Sequence, residues 1–152
     1  MRFLGNIEAK VDSKGRVFLP AVFRKALPGG EGQPMVLRKD VFQDCLVLYP
    51  EDVWNEQVDS LRRKLNRWNK DHQQVFRQFV SEVEAVGLDS SGRILISKRH
   101  LAAVGISQAV RFIGMGDTIE LWPAEKADKP FMDAAEFGQT LEQLMDTDDN
   151  QQ

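Results

Sequence analysis

The chain has 152 residues, 42% of them hydrophobic and 28% charged, with a formal net charge of −3. This composition describes a globular chain of one domain or two small ones; it excludes disordered and collagen-like polymers, and no apolar run approaches the ~20 residues that cross a bilayer. The average charge conceals a division, because residues 1–39 carry eight basic and three acidic side chains (net +5), whereas from Ala124 onward eight acids face two lysines (net −6).

In chain order, Phe3, Gly5, Ile7, Ala9 and Val11 alternate with Leu4, Asn6, Glu8, Lys10 and Asp12, the two-residue period of a half-buried strand. Glu8 and Lys10 also interrupt any signal-peptide pattern, so a cytoplasmic location is expected. Asp12-Ser13-Lys14-Gly15 follows as a tight hairpin turn, in which the Asp carboxylate accepts from backbone N–H groups ahead of it and Gly15 takes a left-handed conformation. Val17 and Leu19 resume the apolar face. Pro20 opens a short helix of about two turns, A-V-F-R-K-A-L, and Pro28 to Pro34 is a loop by composition. Cys45 lies in the apolar run C-L-V-L-Y, the setting of a buried small hydrophobe.

After Pro50, Trp54, Val58, Leu61, Leu65 and Trp68 step by four, three, four and three, which predicts one amphipathic helix; Val75, Phe76, Phe79 and Val80 predict a second. The early pattern then returns. Asp89, Gly92 and Arg93 repeat Asp12, Gly15 and Arg16 at a distance of 77 residues, and I-E-L-W-P at Ile119 repeats L-V-L-Y-P at Leu46 at a distance of 73. The four missing residues are expected to come from the Pro28–Pro34 loop. Ser97 caps the second short helix, K-R-H-L-A-A-V, and Gly105 stops it. Gly114-Met115-Gly116 reads as a hairpin turn, and the terminal D-T-D-D-N-Q-Q as a frayed acidic end. The chain is thus a duplication of a unit of about 50 residues, too small to bury a good core alone, so pairing of the copies and further oligomerisation are expected.

The stretches D-S-K-G-R-V-F-L-P-A-V-F-R and L-D-S-S-G-R-I-L-I, with the duplication, the Y-P and W-P strand ends and the intervening helices, resemble the MraZ family. That resemblance implies an α+β fold of two tandem AbrB-like swapped-hairpin units forming a pseudo-two-fold β-barrel with flanking amphipathic helices. The units are placed at 5–52 and 81–124, with connecting helices at 53–80 and a C-terminal helix and acidic tail at 125–152. It further implies a nucleoid-associated regulator, repressing its own division and cell-wall gene cluster by binding short direct repeats in double-stranded DNA as a ring-like homo-oligomer. The family's D-x-x-G-R motif is intact in both copies, but Lys14 becomes Ser91 and Pro20 becomes Ser97, so the second copy is expected to hold phosphate less strongly.

An arginine directly after a rigid glycine turn presents its planar fork at a hairpin tip, where it can meet a guanine edge or a phosphate. Arg16 and Arg93 are therefore the predicted base-contacting or groove-contacting residues and Lys14 a phosphate contact. Asp12, Gly15, Asp89 and Gly92 structure the turns, and Arg2, Arg24 and Lys25 extend the basic footprint. The same spacing also suits an exposed cross-turn ion pair of little energetic value. His72 and His100 have no ligand-spaced companions, and no P-loop or nucleophile motif is present, so neither an enzyme, a cofactor nor a metal is expected. Two alternatives remain: an AbrB-type antitoxin, and a ring scaffold that binds proteins through its striped helices. The acidic tail is either a solubilising extension or a competitor for a neighbour's basic face.

Overall fold

The computed structural model describes residues 2–150; Gln151 and Gln152, the end of the expected acidic tail, lie outside the described residues. Its first half runs β1 (Phe3–Lys10), β2 (Arg16–Phe18), α1 (Ala21–Arg24), β3 (Met35–Lys39), β4 (Leu46–Pro50), α2 (Glu51–Lys64) and α3 (Lys70–Ser81). The second runs β5 (Val83–Val86), β6 (Arg93–Leu95), α4 (Lys98–Val104), β7 (Ala109–Gly116), β8 (Ile119–Pro123), a 3-10 turn (Ala124–Lys126) and α5 (Ala134–Asn150).

Six strands form one antiparallel sheet in the order β1-β7-β8-β4-β3-β5, and β2 pairs with β6 in a separate two-stranded ribbon. Exchanging each strand for its counterpart in the other half leaves both sheets unchanged. The two copies are therefore related as a pseudo-two-fold, with β4 beside β8 and β2 beside β6. The strands do not close into the expected barrel, because among the described residues the ribbon has no ladder to the six-stranded sheet beyond the single bridge Val11↔Val17. Past that bridge the arms of the first hairpin separate: β1 goes to β7, and β2 to β6.

The core lies between ribbon and sheet. Val17 and Ile94 of the ribbon are buried, as are Leu37, Leu48, Phe112 and Leu121 of the sheet, and Phe23 of α1 packs between Phe3 (6.2 Å) and Phe112 (6.4 Å). Each such side chain contributes roughly 1.5–3 kcal/mol by leaving water. Gly114 lies where β1 passes closest: a Cβ there would come within 2.3 Å of the Phe3 carbonyl carbon. The hairpin turn itself falls one step later than the G-M-G reading, at Gly116-Asp117, closed by the Met115 N–H donating to Thr118 O at 2.8 Å.

Three other expectations are corrected. Helix α1 has one turn, since Ala26 and Leu27 already make tightened bonds to Phe23 O and Arg24 O before the Pro28-Gly29-Gly30 loop. The helix after Pro50 stops at Lys64 and leaves Trp68 95% exposed, because Asn66 accepts from Trp68 N–H and Asn69 accepts from Asp71 and His72 N–H to cap α3. The four-residue deletion is shared: β-register matches Met35 to Val110, so two residues are lost before β3 and two more in the β3–β4 hairpin. Helix α5 runs from Ala134 to Asn150.

Helices α2 and α3 cover the outer face of β3 and β4. Trp54 stacks on Phe79 at 5.1 Å and meets Tyr49 edge-on at 5.3 Å, while the buried Arg38 lays its guanidinium over Phe79 at 4.6 Å.

Candidate nucleic-acid interface

Both D-S-x-G turns have one construction. Asp12 Oδ1 accepts from the N–H groups of Lys14 (2.9 Å) and Arg16 (2.8 Å), and its Oδ2 accepts from Arg16 Nε at 2.7 Å. Asp89 does the same with Ser91 and Arg93, all at 2.9 Å. Gly15 and Gly92 both sit at φ 87°, and each donates to the carbonyl of its own Asp at 3.0 Å. The Arg16 backbone N–H is the chief cause holding the Asp12 carboxyl below its ordinary 3.8, with the Arg16 guanidinium and Lys14 N–H adding to it. Asp89 is lowered first by the Arg93 N–H, then by Ser91 N–H and the Arg93 side chain. Each aspartate thus fixes its turn and aims its arginine. Among the described residues, the Nη groups of Arg16 and Arg93 have no hydrogen-bond partner and remain available for acceptors.

The ribbon brings the two arginines together. Arg16 lies opposite Leu95 and Phe18 opposite Arg93, so one outward face carries all four. Strand geometry puts the two arginine Cα atoms ~8 Å apart on the diagonal, with a turn at each end of the ribbon. Arg93 also stands 5.8 Å from the Phe18 ring, and Phe18 and Leu95 are 54% and 58% exposed. These two apolar neighbours were absent from the predicted site. Their signal was present, since Val17 and Leu19 point inward and the strand period sends Phe18 out.

The remaining predicted residues are placed differently. Lys14 is exposed at the first turn, and Lys25 is exposed just after α1. Arg2 sits at the far end of β1, near Gly116, away from the first turn. Arg24 reaches across to the second turn: its guanidinium donates to Leu19 O at 3.0 Å, pairs with Glu31 at 3.2 Å and lies over Gly92. Its counterpart 77 residues on is Leu101, which lies over Gly15. His100 replaces Phe23 and Glu84 replaces Ile7 by the same offset, so the second half buries an imidazole whose Nδ1 is 2.9 Å from Glu84 and 3.1 Å from Ser97 Oγ.

Comparison with known proteins places the chain. A family model described as "MraZ protein, putative antitoxin-like" matches twice, at residues 2–78 and 79–147. The chain belongs to the MraZ family. A relative from Phocaeicola vulgatus, named transcriptional regulator MraZ, is 62% identical over 150 residues, covering 99% of this chain and 97% of its own. One from Bacteroides fragilis with the same name is 59% identical (95% and 92% covered), and one from Christiangramia forsetii is 31% identical (98% and 96%). The two MraZ matches meet between Gln78 and Phe79, inside α3, so the repeat boundary in sequence falls within a helix of the structure. Among the described residues, no helix is long and apolar enough to cross a membrane.

Proposed function

We propose that this chain is a sequence-specific DNA-binding transcriptional regulator that represses its own division and cell-wall gene cluster. In this reading it binds short direct promoter repeats as a ring-like homo-oligomer in the cytoplasm, associated with the nucleoid. Its fold is then a pair of AbrB-like swapped-hairpin units, at 5–52 and 81–124, joined through 53–80 and followed by the helix and tail at 125–152.

The supporting observation is the pair of aspartate-oriented arginines on one exposed two-stranded ribbon. A β-ribbon fits the B-DNA major groove, and an arginine fork is the commonest reader of a guanine edge there. Arg16 and Arg93 take base edges, Lys14 takes phosphate, and Phe18 and Leu95 offer apolar contact to a thymine methyl. Arg24 supports the second turn from behind. One ribbon makes few contacts, so affinity comes from several ribbons on successive repeats, with half-sites near 10 base pairs bringing tips to one side of the duplex. Relatives bearing the name transcriptional regulator are consistent with this reading.

The test is a salt-series titration of upstream and scrambled duplexes with wild type, Arg16→Ala, Arg93→Ala and the double variant, with mass measured alongside. Loss of a guanine contact corresponds to ~1–3 kcal/mol per ribbon, and a lost phosphate contact would instead flatten the salt slope by about 1. Four proteins binding alike, or equal affinity for one repeat and for several, would refute the reading.

A further inference from the structure

The two ends of the six-stranded sheet share one construction and differ in how it is closed. At one end β1 runs along β7 and at the other β5 runs along β3, in matching register: Ile7 lies opposite Phe112 as Glu84 lies opposite Leu37. Beyond Ile7, β1 continues to Phe3 and passes tightly over Gly114. The β3 position that matches Gly114 is Lys39, which places a side chain on that route, and the β5 ladder stops at Val83↔Arg38. Val80 and Ser81, the counterparts of Phe3 and Leu4, belong to α3 instead.

The corner left uncovered is a cavity of about 220 Å³ lined by Lys39, Glu82, Arg99, His100 and Ala103. At the first end the matching positions are Gly114, Gly5, Val22, Phe23 and Ala26, and Phe23 packs there against Phe3. Two cations and an imidazole thus stand where the first end has only apolar groups.

Their hydrogen bonding leaves capacity on the cavity side. His100 is 5% exposed, with Nδ1 2.9 Å from Glu84 and 3.1 Å from Ser97 Oγ. Among the described residues its Nε2 has no hydrogen-bond partner and is not sealed from solvent, so it opens on the cavity that the ring lines. With Nδ1–H donated to Glu84, a cationic ring has one further proton to give, on Nε2. The flanking cations are loosely held. Lys39 Nζ stands 3.5 Å from Asp44 and Arg99 Nη2 3.4 Å from Glu84, against about 2.7–2.9 Å for a close charge-assisted bond. Glu82, the acid of the lining, already accepts from Gln78 at 2.9 Å.

We propose that this corner binds a small anion, a carboxylate or phosphate group, which accepts from His100 Nε2, Lys39 and Arg99. The occupant joins β3 to both arms of the hairpin that carries Arg93, since Glu84 precedes its Asp89 turn and His100 follows β6. It does so away from the outward face of the ribbon.

Calorimetric titration of the full-length chain with inorganic phosphate and, separately, with acetate tests this, at constant ionic strength and about pH 6, below the ordinary imidazole value. One probe or both should bind saturably at one site per chain, and the tighter one identifies the group. Lys39→Gln with Arg99→Val should weaken that binding about tenfold or more, and Glu84→Ile with His100→Phe, the residues of the first end, should abolish it. Circular dichroism confirms that each variant is folded. His72 and His100 are the only histidines, so carbon-13 labelling of the imidazoles locates the occupant: the His100 signal should move with saturation and the His72 signal should stay. Heats that never saturate, a shift of His72 alone, or unchanged affinity in a folded variant would overturn the proposal. No DNA enters either readout, so these outcomes are separate from those that decide the DNA-binding reading.

Discussion

The repeated glycine is the same letter in two different surroundings, and alanine at each should cost differently. Both Gly15 and Gly92 sit at φ 87°, so either substitution forces a Cβ into left-handed backbone at ~1–2 kcal/mol. At Gly15 the new Cβ would also lie 2.4 Å from the Ile96 carbonyl oxygen. That oxygen belongs to backbone in the core, and the Gly15 carbonyl itself accepts from Ile96 N–H at 2.9 Å. Relief therefore strains or breaks a buried backbone hydrogen bond, adding ~1–2 kcal/mol. At Gly92 the nearest atom is Arg24 Nη1 at 2.6 Å, the end of a side chain that can swing aside. Gly15→Ala should thus lower stability by ~3 kcal/mol and Gly92→Ala by ~1–2 kcal/mol, separating their melting temperatures by ~3–6 °C for a chain of this size. Thermal unfolding at one fixed protein concentration measures it, since assembly would otherwise shift the midpoint. Equal losses, or a larger loss for Gly92→Ala, would refute the asymmetry read from the two contacts. Arg24→Ala should make the Gly92→Ala penalty smaller and leave the Gly15→Ala penalty unchanged.

Asp12 and Asp89 have folded values below the unfolded 3.8, so they stabilise the fold above that pH and the gain is lost as pH falls through the lowered values. Urea midpoints should accordingly drop below about pH 4, and less steeply in the Asp12→Asn, Asp89→Asn double variant; parallel pH profiles would contradict this. Burial first, and then the charges of Glu120 and Asp40, push the Cys45 thiol to about 12. Iodoacetamide at neutral pH should therefore leave native protein unlabelled and modify it fully in guanidinium, whereas prompt native labelling would place Cys45 outside the core. Replacing Glu84 and His100 together by the Ile and Phe of the first half should be neutral or stabilising by ~1 kcal/mol, while Glu84→Ile alone should destabilise. A double variant melting below both single ones would count against that equivalence.

What the sequence made legible was local. D-S-x-G-R specifies its turn through an Asp side chain bonding two and four residues ahead, and no distant partner is needed. Alternation in Phe3 to Val11 showed which face is buried, but a two-residue period carries no information about which strand lies alongside. The hairpin was therefore visible and the parting of its arms after Val17 was not. The Trp54 to Leu65 stripe was extended to Trp68 because spacing alone cannot weigh the local bonds of Asn66 and Asn69 that turn the chain. Among the basic residues, Arg24 looked like surface charge because its position depends on a bare glycine 68 residues away in the other copy.

That dependence explains why one chain carries the phrase twice. Of the six strand pairings among the described residues, four join the halves (β1·β7, β2·β6, β3·β5 and β4·β8), and β3·β4 and β7·β8 are internal to one half. A fragment ending near residue 78 would keep one hairpin and leave β1 and β2 without partners. It could complete the sheet only by pairing with a second copy of itself, since the strand order is unchanged on exchange of halves. Joining two copies covalently removes that concentration requirement and also releases them from identity. In a self-paired dimer every substitution appears twice; here Arg24 faces Gly92 while Leu101 faces Gly15, and Phe23 has become His100. The two arginine forks keep the same internal geometry, and the supports behind them have diverged. If those supports tune how firmly each fork is held, the ends of one ribbon are not equivalent toward DNA. Arg16→Ala and Arg93→Ala should then differ in effect, an inequality that a strictly symmetric dimer could not show.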